Sequence, residues 1–97
     1  MADLNIAEIP YETGEIHFRY ARQLSADGSQ WIRHGLFVKY HLNGKVASEG
    51  TYVEGVEHGI WRDYYETGNL AAEGFYENGQ ESSNWKYWNE DGSPCED

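Results

Sequence analysis

The sequence predicts an all-β chain folded as a single-layer antiparallel sheet, or solenoid, of consecutive β-hairpins on a 24-residue unit. Three observations carry that expectation. His34–Glu57 (HGLFVKYHLNGKVASEGTYVEGVE) and His58–Glu81 (HGIWRDYYETGNLAAEGFYENGQE) align without a gap, and ten of their 24 positions are identical. Glycines recur at hairpin spacing, so they punctuate turns rather than form a flexible linker. No window holds a sustained helical period with caps.

Taken in order, residues 1–97 make one repeat domain. Residues 1–10 are a lead-in whose Leu4, Ile6 and Ile9 suit a cap, because the end units of a solenoid need covering. Residues 11–33 read as a degenerate unit. Tyr11–Gly14 has the same four letters as Tyr65–Gly68, yet Gly14 to Gly35 spans 21 residues where Gly44 to Gly59 spans 15. The excess lies in Phe18–Arg33, read as a longer hairpin turning at Asp27-Gly28. Units 34–57 and 58–81 follow, then a partial unit at 82–97. There Phe37, Trp61 and Trp85 keep the 24-residue step, while Ser82-Ser83 stands in place of His-Gly.

Each full unit reads as two antiparallel strands, about Leu36–His41 and Lys45–Val53 in the first. Asn43-Gly44 between them is read as a two-residue turn with both residues at positive φ, and Thr67-Gly68 and Asp91-Gly92 are its equivalents. Glu54-Gly55 and Asn78-Gly79 turn the chain into the next unit. The structural glycines of the repeat are thus Gly35, Gly44, Gly50, Gly55, Gly59, Gly68, Gly74, Gly79 and Gly92. One face of the second strand carries Val46, Ser48, Gly50 and Tyr52, repeated as Leu70, Ala72, Gly74 and Tyr76. Gly50 and Gly74 are expected to leave room for aromatic rings from neighbouring first strands. Trp61 and Tyr64 differ in parity, so either both faces carry aromatics or a bulge intervenes.

Composition narrows the function. Residues 1–45 hold five acids and five bases, whereas residues 46–97 hold twelve acids against Arg62 and Lys86. The net charge of −10 therefore lies in the second half. Nucleic acid and anionic membranes are disfavoured partners, because both need basic patches. A single cysteine, Cys95, allows no internal disulfide and has no basic neighbour or helix N-terminus to make it reactive. The first residues lack the pattern of a signal peptide, and no apolar run is long enough for a membrane helix. A cytoplasmic setting is the expectation.

The unit HG-x-W-x-x-Y-Y-x-x-G-x-L-x-x-E-G-x-Y-x-N-G resembles the bacterial variant of the MORN repeat over roughly residues 34–92. The match rests on Gly59, Trp61, Tyr64, Tyr65, Gly68, Leu70, Glu73, Gly74, Tyr76 and Gly79. Proteins of this look are often described as the antitoxin component of a toxin–antitoxin pair, which implies a non-enzymatic protein that binds and silences a toxin. Other MORN proteins act as scaffolds or associate with phospholipids. The acidic composition argues against the lipid role.

Site chemistry is sparse. Units of two strands advance by about 9.5 Å, at about 4.8 Å per strand. His34 and His58 are then too far apart to share a zinc whose ligands lie about 2 Å from it. They are read as turn and packing residues, and no metal or cofactor is expected. Glu49 and Glu73 fall near the upper limit of the ~5–9.5 Å that separates glycosidase carboxylates. Equivalent repeat positions give similar environments, however, whereas an acid–base pair needs different ones. Each is read as bonding a neighbouring turn or pairing with a base. No nucleophile–base triad or phosphate loop is present, so no enzyme is expected.

What remains is a set of aromatic residues beside acids: Trp61, Tyr64, Tyr65, Tyr76, Trp85, Tyr87 and Trp88 with Glu66, Glu77, Glu81, Glu90 and Asp91. Tyrosine and tryptophan favour interaction hot spots. The expected partner is a protein, on the resemblance a basic toxin, bound by charge complementarity. Two alternatives stand beside it: self-assembly through open sheet edges, and carbohydrate binding on the aromatic ladder.

Overall fold

The computed structural model describes residues 4–82 and 84–95. Ser83, half of the pair standing in for His-Gly, lies outside the described residues, as do residues 1–3 and 96–97. The strands are β1 (Asn5–Pro10), β2 (Ile16–Leu24), β3 (Trp31–Tyr40), β4 (Val46–Val53), β5 (Val56–Tyr64), β6 (Leu70–Glu77), β7 (Gln80–Glu81) and β8 (Lys86–Tyr87). They form one antiparallel sheet in sequence order from β1 to β7. β7 and β8 both pair with β6, and together take the place beside it that β5 takes beside β4. The molecule measures 48 × 35 × 18 Å.

From β3 onward two kinds of turn alternate, whereas the earlier β2–β3 connection is closed by Gly28, whose N–H donates to the Ser25 carbonyl at 2.9 Å. At one end, Gly14, Gly44, Gly68 and Gly92 donate their N–H groups to the carbonyls of Tyr11, His41, Tyr65 and Asn89, at 2.9–3.0 Å. Gly44 has φ +87, while Asn43 is not among the residues of positive φ. The Asn43-Gly44 turn is therefore a type I turn followed by a left-handed glycine, which corrects the two-residue expectation. Asparagine serves there through its side chain, whose Oδ1 accepts the Lys45 N–H at 2.9 Å. The turns with both central residues at positive φ are at the opposite end: Glu54-Gly55 (φ 48 and 90) and Asn78-Gly79 (φ 52 and 82). Their flanks Val53↔Val56 and Glu77↔Gln80 pair directly, which closes each loop at two residues.

The repeated His-Gly pair is not a turn. From Tyr20↔Phe37 to Arg22↔Arg33, β3 advances four residues while β2 advances two. His34, Gly35 and Leu36 thus form a bulge within β3, with Gly35 at φ +108. The same irregularity recurs from Glu49↔Arg62 to Thr51↔His58, with Gly59 at φ +80. Bulges bend a strand and increase its twist, so each unit meets the last through a bend. The first strand of the unit accordingly begins at Trp31, not at Leu36. His34 supports the next turn, its Nδ1 accepting the Glu54 N–H at 3.0 Å.

The core is a row of rings on one face. Phe37 packs with Tyr20, Tyr52 and Trp61, and contacts continue through Tyr76 to Trp85. Gly50 and Gly74 lie beneath Trp61 and Trp85, where an added Cβ would fall 2.1 Å and 1.9 Å from the indole rings. The indole Nε1 of Trp61 donates to the Thr51 carbonyl at 3.1 Å. Trp85 Nε1 finds no partner among the described residues, and the equivalent carbonyl, of Phe75, is taken by the Ser82 N–H at 2.8 Å.

Candidate functional site

The face opposite the rings carries a row of charge. In-register pairing aligns Glu8, Arg19, Val38, Glu49, Arg62, Glu73 and Lys86 across seven strands. Except at Val38, the sign alternates, which is the favourable arrangement for opposed cross-strand neighbours. Arg19 meets Glu8 at 3.2 Å and Arg62 meets Glu73 at 2.6 Å. Glu73 raises the Arg62 guanidinium above its usual range. The Tyr64 hydroxyl donates to Glu49 Oε2 at 2.5 Å. Burial first, and then the Glu49 carboxylate, push the Tyr64 phenol up to about 12.

Glu73 therefore pairs with a base, as its repeat position suggests. Glu49 instead takes a tyrosine from the next strand, a partner the sequence reading missed. Both carboxylates are held by neighbours on their own sheet rather than turned towards each other across a cleft. Tyr64 on this face and Trp61 on the other settle the parity question: both faces carry aromatic side chains. The register shift between Asp63 and Tyr64 sits opposite, where β6 passes from Ala72 to Leu70. Beside the charge row lie Leu36↔Thr51 and Ile60↔Phe75, all four exposed.

The residues singled out for partner binding do not share one surface. Trp61, Tyr76, Trp85 and Tyr87 belong to the ring face. Trp61 is a correction: it is 8 % exposed and forms part of the core, because Gly50 lets its ring lie flat on the backbone. Tyr87 is 52 % exposed. Tyr76 is half-buried, and its phenol is raised by burial first and then by Glu81, Glu57 and Asp63. Tyr65, Trp88, Glu66, Glu90 and Asp91 cluster at the end that carries the glycine-closed turns. Glu77 and Glu81 flank the Asn78-Gly79 turn at the other end.

The turn cluster also joins one unit to the next, which the sequence reading did not foresee. Tyr11 donates its hydroxyl to the Tyr40 carbonyl (2.6 Å), His41 Nε2 bonds the Tyr64 carbonyl (2.8 Å), and Tyr65 donates to the Trp88 carbonyl (2.6 Å). Asn43 and Asn69 reach the carbonyls of Glu66 and Glu90, each at 2.8 Å. The signal was present in the 24-residue step from His41 to Tyr65. Asp91 is held below its usual range by hydrogen bonds from the Ser93 hydroxyl and backbone. Among the described residues, no group of three His, Cys, Asp or Glu side chains is placed to hold a metal.

An open meander of hairpins, stacked through rings on one face and turn carbonyls at one end, defines a solenoid-type repeat module. This class presents an extended surface rather than an enclosed cleft. The family model described as MORN repeat variant matches residues 33–54 and 57–80. The two matched segments follow one another and run from β3 to the start of β7. No curated protein and no solved structure matches the chain.

Proposed function

We propose that the chain is a non-enzymatic protein-binding module whose acidic half takes a basic protein partner. The observation that carries this reading is the order of the sheet. Because the strands lie side by side in sequence order, charge imbalance along the chain becomes imbalance across the sheet. Residues 1–45, which contain β1 to β3, balance five acids with five bases; residues 46–97, from β4 onward, set twelve acids against two bases. Arg62, one of those two, is already tied to Glu73. Such a field attracts a basic surface and speeds encounter, and short-range contacts then fall to exposed Tyr87 and the turn cluster of Tyr65, Glu66, Trp88, Glu90 and Asp91.

In its narrower form, which rests on the resemblance, the partner is a basic toxin neutralised in the cytoplasm. Capture with the tagged full chain, followed by affinity measured against salt, tests the reading. Binding to a basic protein that weakens steeply from low to physiological salt supports it. Binding indifferent to salt, or capture of acidic proteins alone, overturns it.

Self-association is a second reading, favoured by one contrast between the sheet edges. The outer edge of β1 is unpaired among the described residues, with Ile6 and Ile9 exposed. At the other edge, the Cys95 N–H returns to the Tyr87 carbonyl at 2.9 Å and partly covers β8. A free edge is a template for pairing. Mass in solution across a concentration series decides it, with Ile6→Lys expected to abolish any dimer. Carbohydrate stacking has less support, because successive pairs from Tyr52 through Trp61 and Tyr76 to Trp85 meet edge to face (88°, 75° and 82°).

A further inference from the structure

The hairpin of β2 and β3, which breaks the repeat, places two arginines directly opposite each other. Arg22 and Arg33 are Cα partners on the ring face. Like charges in that relation destabilise a sheet. A carboxylate between them would relieve the repulsion, yet the ion pairs of the described residues are Glu8–Arg19 and Glu73–Arg62, on the other face. The scarcity is local, since the chain has 17 acids.

Both guanidinium groups are instead held by rings. The Arg22 guanidinium carbon lies 4.2 Å from the centre of the Trp31 ring. That of Arg33 lies 5.0 Å from the Tyr20 ring and 5.5 Å from those of Phe37 and Tyr52. Stacking occupies the flat face of a guanidinium and leaves its N–H edge free to donate. Arg22 spends one donor, Nε, on Asn5 Oδ1 at 3.1 Å. Tyr20, Arg22, Gln30, Trp31 and Arg33 line a shallow depression of about 370 Å³. The next unit lacks this arrangement, because the position 24 residues after Arg33 is Glu57.

We infer that this depression is a binding site for a phosphate monoester. The two arginines, Cα partners that both line the depression, bring a charge of +2 to it, and a phosphate monoester carries about −1.5 to −2 at neutral pH with three acceptor oxygens. One such group accepts from both forks, whereas a carboxylate balances only one. The net charge of −10 repels extended polyanions, so the ligand is a small phosphoester and not a nucleic acid or an anionic membrane. The site is built on the charge-balanced side of the sheet and borders the acidic half only at Gly55 and Tyr52, and it stands or falls independently of the basic-partner reading.

The test uses the full chain, with methyl phosphate as probe, acetate and chloride as comparators at equal ionic strength, and vesicles containing phosphatidic acid. Titration calorimetry and the thermal midpoint are the readouts. Methyl phosphate is expected to bind and raise the midpoint, and acetate to bind more weakly. Arg22→Gln and Arg33→Gln should each weaken methyl phosphate on the order of tenfold or more. Lys39→Gln, at a base of the same face outside the depression, should bind as before. Without phosphate, both arginine variants should stay folded with midpoints close to that of the original chain, because relieved like-charge repulsion offsets the lost ring contacts. Arg33→Lys, which keeps the charge but loses the fork, should also bind more weakly. Equal effects of phosphate and chloride, unchanged binding by both Gln variants, or binding to vesicles without binding to methyl phosphate would overturn the proposal.

Discussion

The indole of Trp61 occupies the space that a side chain on Gly50 would need: a Cβ built on Gly50 falls 2.1 Å from Trp61 Cδ2. The next unit repeats the relationship between Trp85 and Gly74, at 1.9 Å. The ring is hemmed in by Phe37, Tyr52 and Tyr76 and tied through Nε1 to the Thr51 carbonyl, so it cannot swing aside. Gly50→Ala should therefore destabilise the chain by about 1–3 kcal/mol, the usual cost of overpacking. Urea unfolding measures this, and combining the change with Trp61→Leu should recover part of the loss. Full stability of Gly50→Ala alone would show that the ring moves freely.

Glu54 and Asn78 occupy the same position in the two turns that need both central residues at positive φ, 48 and 52. Asparagine tolerates that conformation better than glutamate. Glu54→Asn is expected to stabilise by a few tenths to about 1 kcal/mol. The reverse change, Asn78→Glu, should destabilise by a similar amount. Thermal melts of the pair check both signs, and like signs for the two would refute the turn argument.

Tyr64 should show its raised pKa directly, the ultraviolet phenolate signal appearing towards pH 12 and not near 10. The folded state holds this proton more tightly than the unfolded state does. Its contribution to stability is therefore complete below pH 10 and lost as pH rises from about 10 to about 12. Tyr64→Phe should lose that component of the alkaline titration and flatten the corresponding fall in stability.

Tyr65 fastens its unit to the next one through the Trp88 carbonyl. Tyr65→Phe keeps the ring and removes the bond, at a cost of about 0.5–1.5 kcal/mol. The effect should be local. Amide exchange should quicken in residues 86–95 and change little in β2 and β3, whereas uniform quickening would mean that the sheet unfolds only as a whole.

Several features were legible because they are written along the chain. The gapless 24-residue alignment identified stacked hairpins, and Phe37, Trp61 and Trp85 kept the 24-residue step, although only the fold shows that they form one column of rings. Gly50 and Gly74, recurring on the strand face that ends in Tyr52 and Tyr76, marked where those rings would need room. The charge asymmetry was equally readable, since in a meander neighbours in sequence are neighbours in space.

Register was not legible, and the rest followed from it. One residue of slip exchanges the two faces of a strand. The His-Gly bulges introduce such irregularity inside β3 and β5, where sequence alone suggested a turn. Only the folded sheet therefore shows that Glu49 meets Tyr64, that Arg62 meets Glu73, and that Arg22 stands opposite Arg33. The twelve residues chosen for partner binding were close in sequence, yet the pleat and the two turn ends dispersed them. By itself the sequence determined the repeat, the order of the strands and the distribution of charge, because these are local or periodic properties. The tertiary structure decided which side chains face each other, because that depends on where each bulge shifts the pairing.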